Sequence, residues 1–194
     1  MSIEPASPSD ETLMTELQSG REAALGELMH RWQTPLRAFL FRLVGNTAEA
    51  DDLAQEVFVR AYFKRHTYRT GARFSSWVFA IAANLAKNRL RWWKRRPTLS
   101  LNAWLDEGGE AEDTATAPAA QAEHELRAEQ AVAVQTAIAN LPLDQRTALV
   151  LFEYENKSMT EIAAITTCSA KSVENRLYRA RQQLRKEPGL SGRA

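Results

Sequence analysis

Cations are concentrated in one stretch of this chain. Residues 60–96 hold Arg60, Lys64, Arg65, Arg69, Arg73, Lys87, Arg89, Arg91, Lys94, Arg95 and Arg96, with no Asp or Glu among them. Flat side chains, including Tyr68, Phe74, Trp92 and Trp93, lie between those charges. Cations that track a phosphate backbone, set among rings on which unstacked bases can lie, are what a surface for single-stranded nucleic acid requires. Residues 98–129 reverse the sign, with carboxylates from Asp106 to Glu129 against a single base, Arg127. A formal net charge of +1 hides this segregation.

Other chemistry has little to work with. Cys168 is the single cysteine, which excludes an intramolecular disulfide, and His30, His66 and His124 are scattered without ligand spacing. No nucleophile stands beside a base, no carboxylates pair in a pocket pattern, and no glycine loop would cradle a phosphate. The expectation is a protein that binds without catalysing, with no metal and no cofactor. The N-terminus lacks the basic patch and apolar run of a secretion signal. The best apolar stretch, Trp77 to Ala86, is about half of the roughly 20 residues a membrane helix needs. A cytoplasmic protein without membrane insertion is therefore expected.

The elements that must carry these residues are helices. Apolar residues recur at spacings of three and four, no strand alternation persists, and 44% hydrophobic content is enough for packed cores. The first predicted helix runs from about Glu22 to Val44, with a bend expected near Pro35, and ends at Gly45 and Asn46. Thr47 is read as the cap of a second, to about Tyr68, and a third spans Ser75 to about Lys94 before Pro97. That third helix is expected to bury Trp77, Val78, Ile81 and Leu85, with Asn84 closing the helix packing by hydrogen bonds. Adjacent Trp92 and Trp93 cannot both face inward. Four further helices are predicted over about 126–140, 143–154, 160–165 and 170–186, with Ser158 and Glu161 in capping-box spacing. The fold class is all-α: two small helical domains, residues 20–97 and 126–187, joined by a flexible acidic linker over 98–125. Residues 1–19 and 188–194 are read as tails.

The stretch TEIAAITTCSAKSVENRLYRARQQLRK, residues 160–186, has the order of a helix-turn-helix: a short helix, a tight turn and a second helix. Ile162, Ala163, Ile165, Val173, Leu177 and Leu184 would pack. Lys171, Ser172, Glu174, Asn175, Arg176, Tyr178 and Arg179 are the candidate DNA contacts. Base edges in the major groove are told apart by hydrogen bonds, while cations hold phosphates. Thr167 stands where a glycine often occupies this turn. Cys168 beside it is read as a small buried hydrophobe.

Two segments together carry a resemblance. AEADDLAQEVFVRAYFKRHTYRTGARFSSWVFAIAANLAKNRLRWWKRR, residues 48–96, resembles the second conserved region of extracytoplasmic-function sigma factors, in the sigma-70 family. LPLDQRTALVLFEYENKSMTEIAAITTCSAKSVENRLYRARQQLRK, residues 141–186, resembles their fourth. The resemblance implies a subunit of RNA polymerase that recognises promoter DNA and promotes its opening. Asp52, Gln55 and Glu56 share one helix face, which in the family docks on the polymerase clamp coiled-coil; the polymerase flap is a further implied contact. Tyr68, Arg69, Phe74 and Ser75 lie in or beside the loop that in similar proteins receives a flipped base of the −10 element. Lys87, Arg91, Lys94 and Arg95 form a basic stripe beside it, and the helix-turn-helix would read the −35 element. Similar proteins are held inactive by an anti-sigma factor, and their linker enters the path of the transcript. The competing reading is a helix-turn-helix regulator that does not join core polymerase; an enzyme that processes nucleic acid lacks the acidic metal-binding cluster it would need.

Overall fold

The computed structural model describes residues 7–95 and 130–187, and among these it contains helices and turns but no strand. In chain order the helices are α1 (Asp10–Gln18), α2 (Ala23–Val44), α3 (Thr47–Lys64), α4 (Phe74–Arg95), α5 (130–139), α6 (Leu143–Glu153), α7 (Met159–Thr166) and α8 (Ala170–Leu184). A 3₁₀ turn, Arg65–Thr67, follows α3. The all-α expectation holds. The acidic linker over 98–125 lies outside the described residues.

Local chemistry sets the boundaries. Helix α2 runs through Pro35 and ends where Gly45 adopts φ 75° and its N–H donates to Phe41 O at 2.8 Å. The cap of α3 is Asn46, one residue before the expected Thr47; its side chain accepts from Glu49 N at 2.9 Å. In the C-terminal half the Ser158 and Glu161 capping box is complete, and Thr167 takes the left-handed turn (φ 52°) that a glycine would occupy without strain.

The reading of residues 1–19 as a tail fails for Asp10–Gln18. Ser9 caps this helix by accepting from Thr12 N at 3.1 Å, and Leu13, Met14 and Leu17 are fully buried. Asp10 ties it to α2, accepting from Arg31 Nη1 and Trp32 Nε1 at 2.9 Å each. Helices α2, α3 and α4 bury Leu28, Leu36, Phe39, Leu43, Leu53, Val57, Val78 and Phe79 against one another. An edge-on cluster of Trp32, Phe39 and Phe79, with ring centroids 4.9 to 5.8 Å apart, fills its centre.

The C-terminal helices pack on the first set, α6 on α2 and α7 on α4. Arg146 of α6 is 6% exposed and donates to Leu43 O, Ala139 O and Leu141 O. Gln135 Nε2 donates to Phe41 O and Arg42 O at 3.4 and 3.5 Å. The carbonyls at the end of α2 thus receive donors from the other half, and a cation suits the negative end of a helix. Burial lowers the Arg146 pKa to about 10, which leaves it charged at neutral pH. Arg146→Ala should cost about 3 kcal/mol, because it leaves buried carbonyls unpaired. Urea denaturation followed by circular dichroism measures this; a loss below about 0.5 kcal/mol would show that the carbonyls find other partners.

Candidate functional site

Three exposed surfaces carry the residues singled out in the sequence. The first is the outer ridge of α3. Asp52 and Gln55 are exposed, and Glu56 is half-exposed and paired with Arg60 at 2.6 Å. The same ridge continues through two side chains the sequence reading left unassigned, Val59 (54% exposed) and Phe63 (75% exposed). Both line the same apolar groove, so they form part of one contiguous exposed patch and not two scattered side chains. That groove, of about 1110 Å³, opens between α2 and α3 and is lined by Leu25, Met29, Ala54, Phe58, Val59 and Phe63. Gln55 stands on its wall, and Asp51, ion-paired with Arg37, on its rim. Glu56 faces the opposite flank, a smaller hollow shared with Asn88, Arg89 and Trp92.

The second surface is α4 with the loop before it. Tyr68 and Phe74, expected at the base-receiving loop, are 4% and 1% exposed and belong to the core. Their apolar faces pack with Trp77, and the Tyr68 hydroxyl donates to Ala72 O. They shape the loop; the groups it presents are Arg69 to Arg73, which are exposed, with Gly71 at φ 89°. Ser75 Oγ accepts from Lys157 Nζ at 2.8 Å, and Arg73 meets Glu161 at 3.1 Å, both across to the C-terminal half. Along α4 the structure keeps Lys87, Arg91, Lys94 and Arg95 on the accessible side, Lys87 lying 4.0 Å from Asp144. Asn84, expected to close the helix packing, is exposed one turn before Lys87 and extends this polar stripe, as does Asn88. The indole pair is resolved: Trp93 packs against the core and Trp92 faces outward.

The third surface is α8. Ser169 caps it by accepting from Ser172 N at 3.2 Å, which uses Ser172 as part of the helix start. Val173, Leu177 and Ala180 are buried; Lys171, Glu174, Asn175, Tyr178 and Arg179 are exposed, Tyr178 by 65%. Lys171 and Glu174 pair at 2.8 Å. Arg176 departs from the expectation of an outward contact: it turns back to Asp144 at 3.5 Å and to Cys168 Sγ at 3.5 Å. Cys168 is half-buried in the turn. Gln182 and Arg185 continue the exposed face beside Tyr178. Among the described residues no group of His, Cys, Asp and Glu could hold a metal, and no helix is long and apolar enough to cross a membrane.

A capped helix-turn-helix with an exposed polar face on α8 packs against a helical bundle that bears a basic stripe and an acidic-apolar ridge, the arrangement of a DNA-binding transcription protein. Comparison with known proteins makes this specific. The family model Sigma-70 region 2 matches residues 28–96, and Sigma-70, region 4 matches residues 131–184. RNA polymerase sigma-H factor of Pseudomonas aeruginosa is 34% identical, with 91% of this chain and 92% of the relative covered. The ECF RNA polymerase sigma-E factor of Escherichia coli K12 is 32% identical over the same shares. Among solved structures, the sigma factor RpoE in complex with the anti-sigma factor NepR from Bartonella quintana aligns with a TM-score of 0.66 at 22% identity, covering 87% of this chain and 98% of that one. The chain belongs to the sigma-70 family of RNA polymerase sigma factors, in its extracytoplasmic-function group.

Proposed function

We propose that this chain joins core RNA polymerase, directs it to promoters by their −10 and −35 elements, and promotes opening of the DNA, without catalytic activity of its own. The observation that carries this reading is the separation of three exposed faces on one chain: the α3 ridge, the α4 stripe with its loop, and α8. A regulator that only bound DNA would need the last; the first two would have no work.

The division of labour follows from the chemistry of each face. The ridge of Asp52, Gln55, Val59 and Phe63, with the groove behind it, docks on a helical polymerase partner, its apolar residues supplying burial and its acidic ones complementing cations. Glu56 supports that contact from the opposite flank. Arg69 to Arg73 receive an unstacked base of the −10 element, held by Tyr68 and Phe74 from beneath and flanked by Ser75, while Lys87, Arg91, Lys94 and Arg95 track the strand. On α8, Asn175 reads adenine, Glu174 accepts from cytosine, Arg179 reaches guanine, and Lys171 holds phosphate at the −35 element. Tyr178 adds an apolar face. Arg176 serves the turn through Asp144 and Cys168. Residues 20–97 and 126–187 are the two functional units, with α1 added to the first.

The sigma factor RpoE of Bartonella quintana was solved in complex with the anti-sigma factor NepR, which supports such a partner here, acting in the cytoplasm where polymerase works. Neutralising Lys87 and Arg91 together should weaken promoter binding of the holoenzyme about equally on every sequence and reduce its salt dependence by about two counterions. Footprinting across promoter variants at several salt concentrations measures both. A change in sequence preference instead would make these residues base readers.

A further inference from the structure

The loop Arg69–Arg73 has its two ends held by a helix that is distant in sequence. At the first end, Gln18 Nε2 of α1 donates to Tyr68 O at 2.9 Å and to Arg65 O at 2.7 Å. At the second, Glu11 Oε1 of α1 accepts from Phe74 N at 3.1 Å. That N–H opens α4, so the carboxylate also meets the positive end of a helix. The Glu11 carboxyl is held below its ordinary range, chiefly by this N–H, consistent with a formed contact. Within the loop, Tyr68 OH bonds to Ala72 O and links the near end to the far one.

Helix α1 can act as a support because it has anchors of its own besides its contacts with the loop ends. Leu13, Met14 and Leu17 are buried, and Asp10 is fixed to Arg31 and Trp32 of α2. Trp32 then packs edge-on against Phe74 at 5.7 Å, so the α2 anchor and the loop end share one aromatic cluster. Gln18 and Glu11 lie seven residues apart, two helical turns, which places them on one face of α1 about 10 Å apart along its axis. One helix face thus spans both ends of the loop.

We propose that α1 is a clamp that presets the Arg69–Arg73 loop, with Glu11 and Gln18 as positioning residues for −10 recognition. The functional half of this inference rests on the reading of that loop as the base-receiving element. The physical basis is preorganisation: five exposed residues, one of them Gly71, would otherwise lose conformational freedom on meeting DNA. Neither Glu11 nor Gln18 touches the base; each fixes where the loop begins or ends.

The test uses the full chain and the double variant Glu11→Ala, Gln18→Ala, with Glu11→Gln as the conservative control, whose side-chain carbonyl can still accept from Phe74 N. Amide hydrogen exchange of residues 69–74 in the free protein reads the clamp without polymerase. Exchange there should rise about tenfold or more in the double variant and stay near wild type in Glu11→Gln, while exchange in α2 and α3 is unchanged. Reconstituted with core polymerase, the double variant should bind core as wild type does but discriminate about tenfold less between a −10 element and its single-base variants. Unchanged exchange in the loop would overturn the clamp, as would exchange raised throughout the α2–α4 bundle, since α1 would then be a general stabiliser. An altered loop with unaltered discrimination would overturn its role in recognition. Arg69→Ala separates the two readings: if it too leaves discrimination intact, the base-receiving assignment fails while the clamp stands on the exchange data.

Discussion

Phe63→Ser should weaken association of this chain with core RNA polymerase by roughly 30-fold, about 2 kcal/mol, and Asp52→Lys with Glu56→Lys should abolish co-purification. The first figure is the ordinary cost of truncating an aromatic anchor at the centre of an interface. Phe63 is three-quarters exposed in the free protein, so removing it takes nothing from the core. Asp52 is exposed and Glu56 contributes one surface ion pair with Arg60, worth at most about 1 kcal/mol to folding. Loss of binding in both variants should therefore come with unchanged helical content and melting temperature. Surface plasmon resonance against immobilised core polymerase, with circular dichroism as the control, decides it. Wild-type affinity in Phe63→Ser would mean that the α2–α3 groove is not the docking surface.

Arg179→Ala and Asn175→Ala should each cost about 1–3 kcal/mol at a −35 element, with the loss confined to one base position apiece. Both side chains are exposed on α8, and neither is engaged in the ion pairs that occupy Lys171 and Arg181. Arg176→Ala should behave differently. Its guanidinium is turned to Asp144 and Cys168, so the variant should destabilise the turn and weaken all sites alike. Binding of the holoenzyme to a set of −35 variants separates these outcomes. If Arg179→Ala lowered affinity equally on every sequence, Arg179 would be a phosphate ligand.

Why some of this was legible in the sequence and some not follows from the range of the interactions concerned. Helix periods, the Ser158 capping box and the buried stripe of α8 are set by residues three or four apart, and these agree with the structure. Helix α1 had the same local signals: Ser9 before Asp10 and Glu11, then Leu13, Met14 and Leu17. What makes it part of the bundle is long-range, the bonds from Asp10 to Arg31 and Trp32 of α2, and leaves no mark in that local pattern. The family resemblance places Tyr68 and Phe74 at the base-receiving loop, but they are buried there, beneath Trp77 and among side chains of α1 and α2 that are distant in sequence. Phe63 and Val59 could not be told from core residues by type alone, since α3 carries one apolar stripe inward and a second outward. Arg146 gave no sequence signal, because its acceptors are backbone carbonyls from another part of the chain.

The central claim is that this protein acts through polymerase, and run-off transcription tests it most directly. Core polymerase, purified chain and fragmented genomic DNA of the encoding organism should give a small set of discrete transcripts that are absent without the chain. The same transcripts should be lost with Asp52→Lys, Glu56→Lys, and their start sites should share −10 and −35 elements at fixed spacing. A chain that binds DNA fragments by itself and adds no transcript to core polymerase would contradict the account.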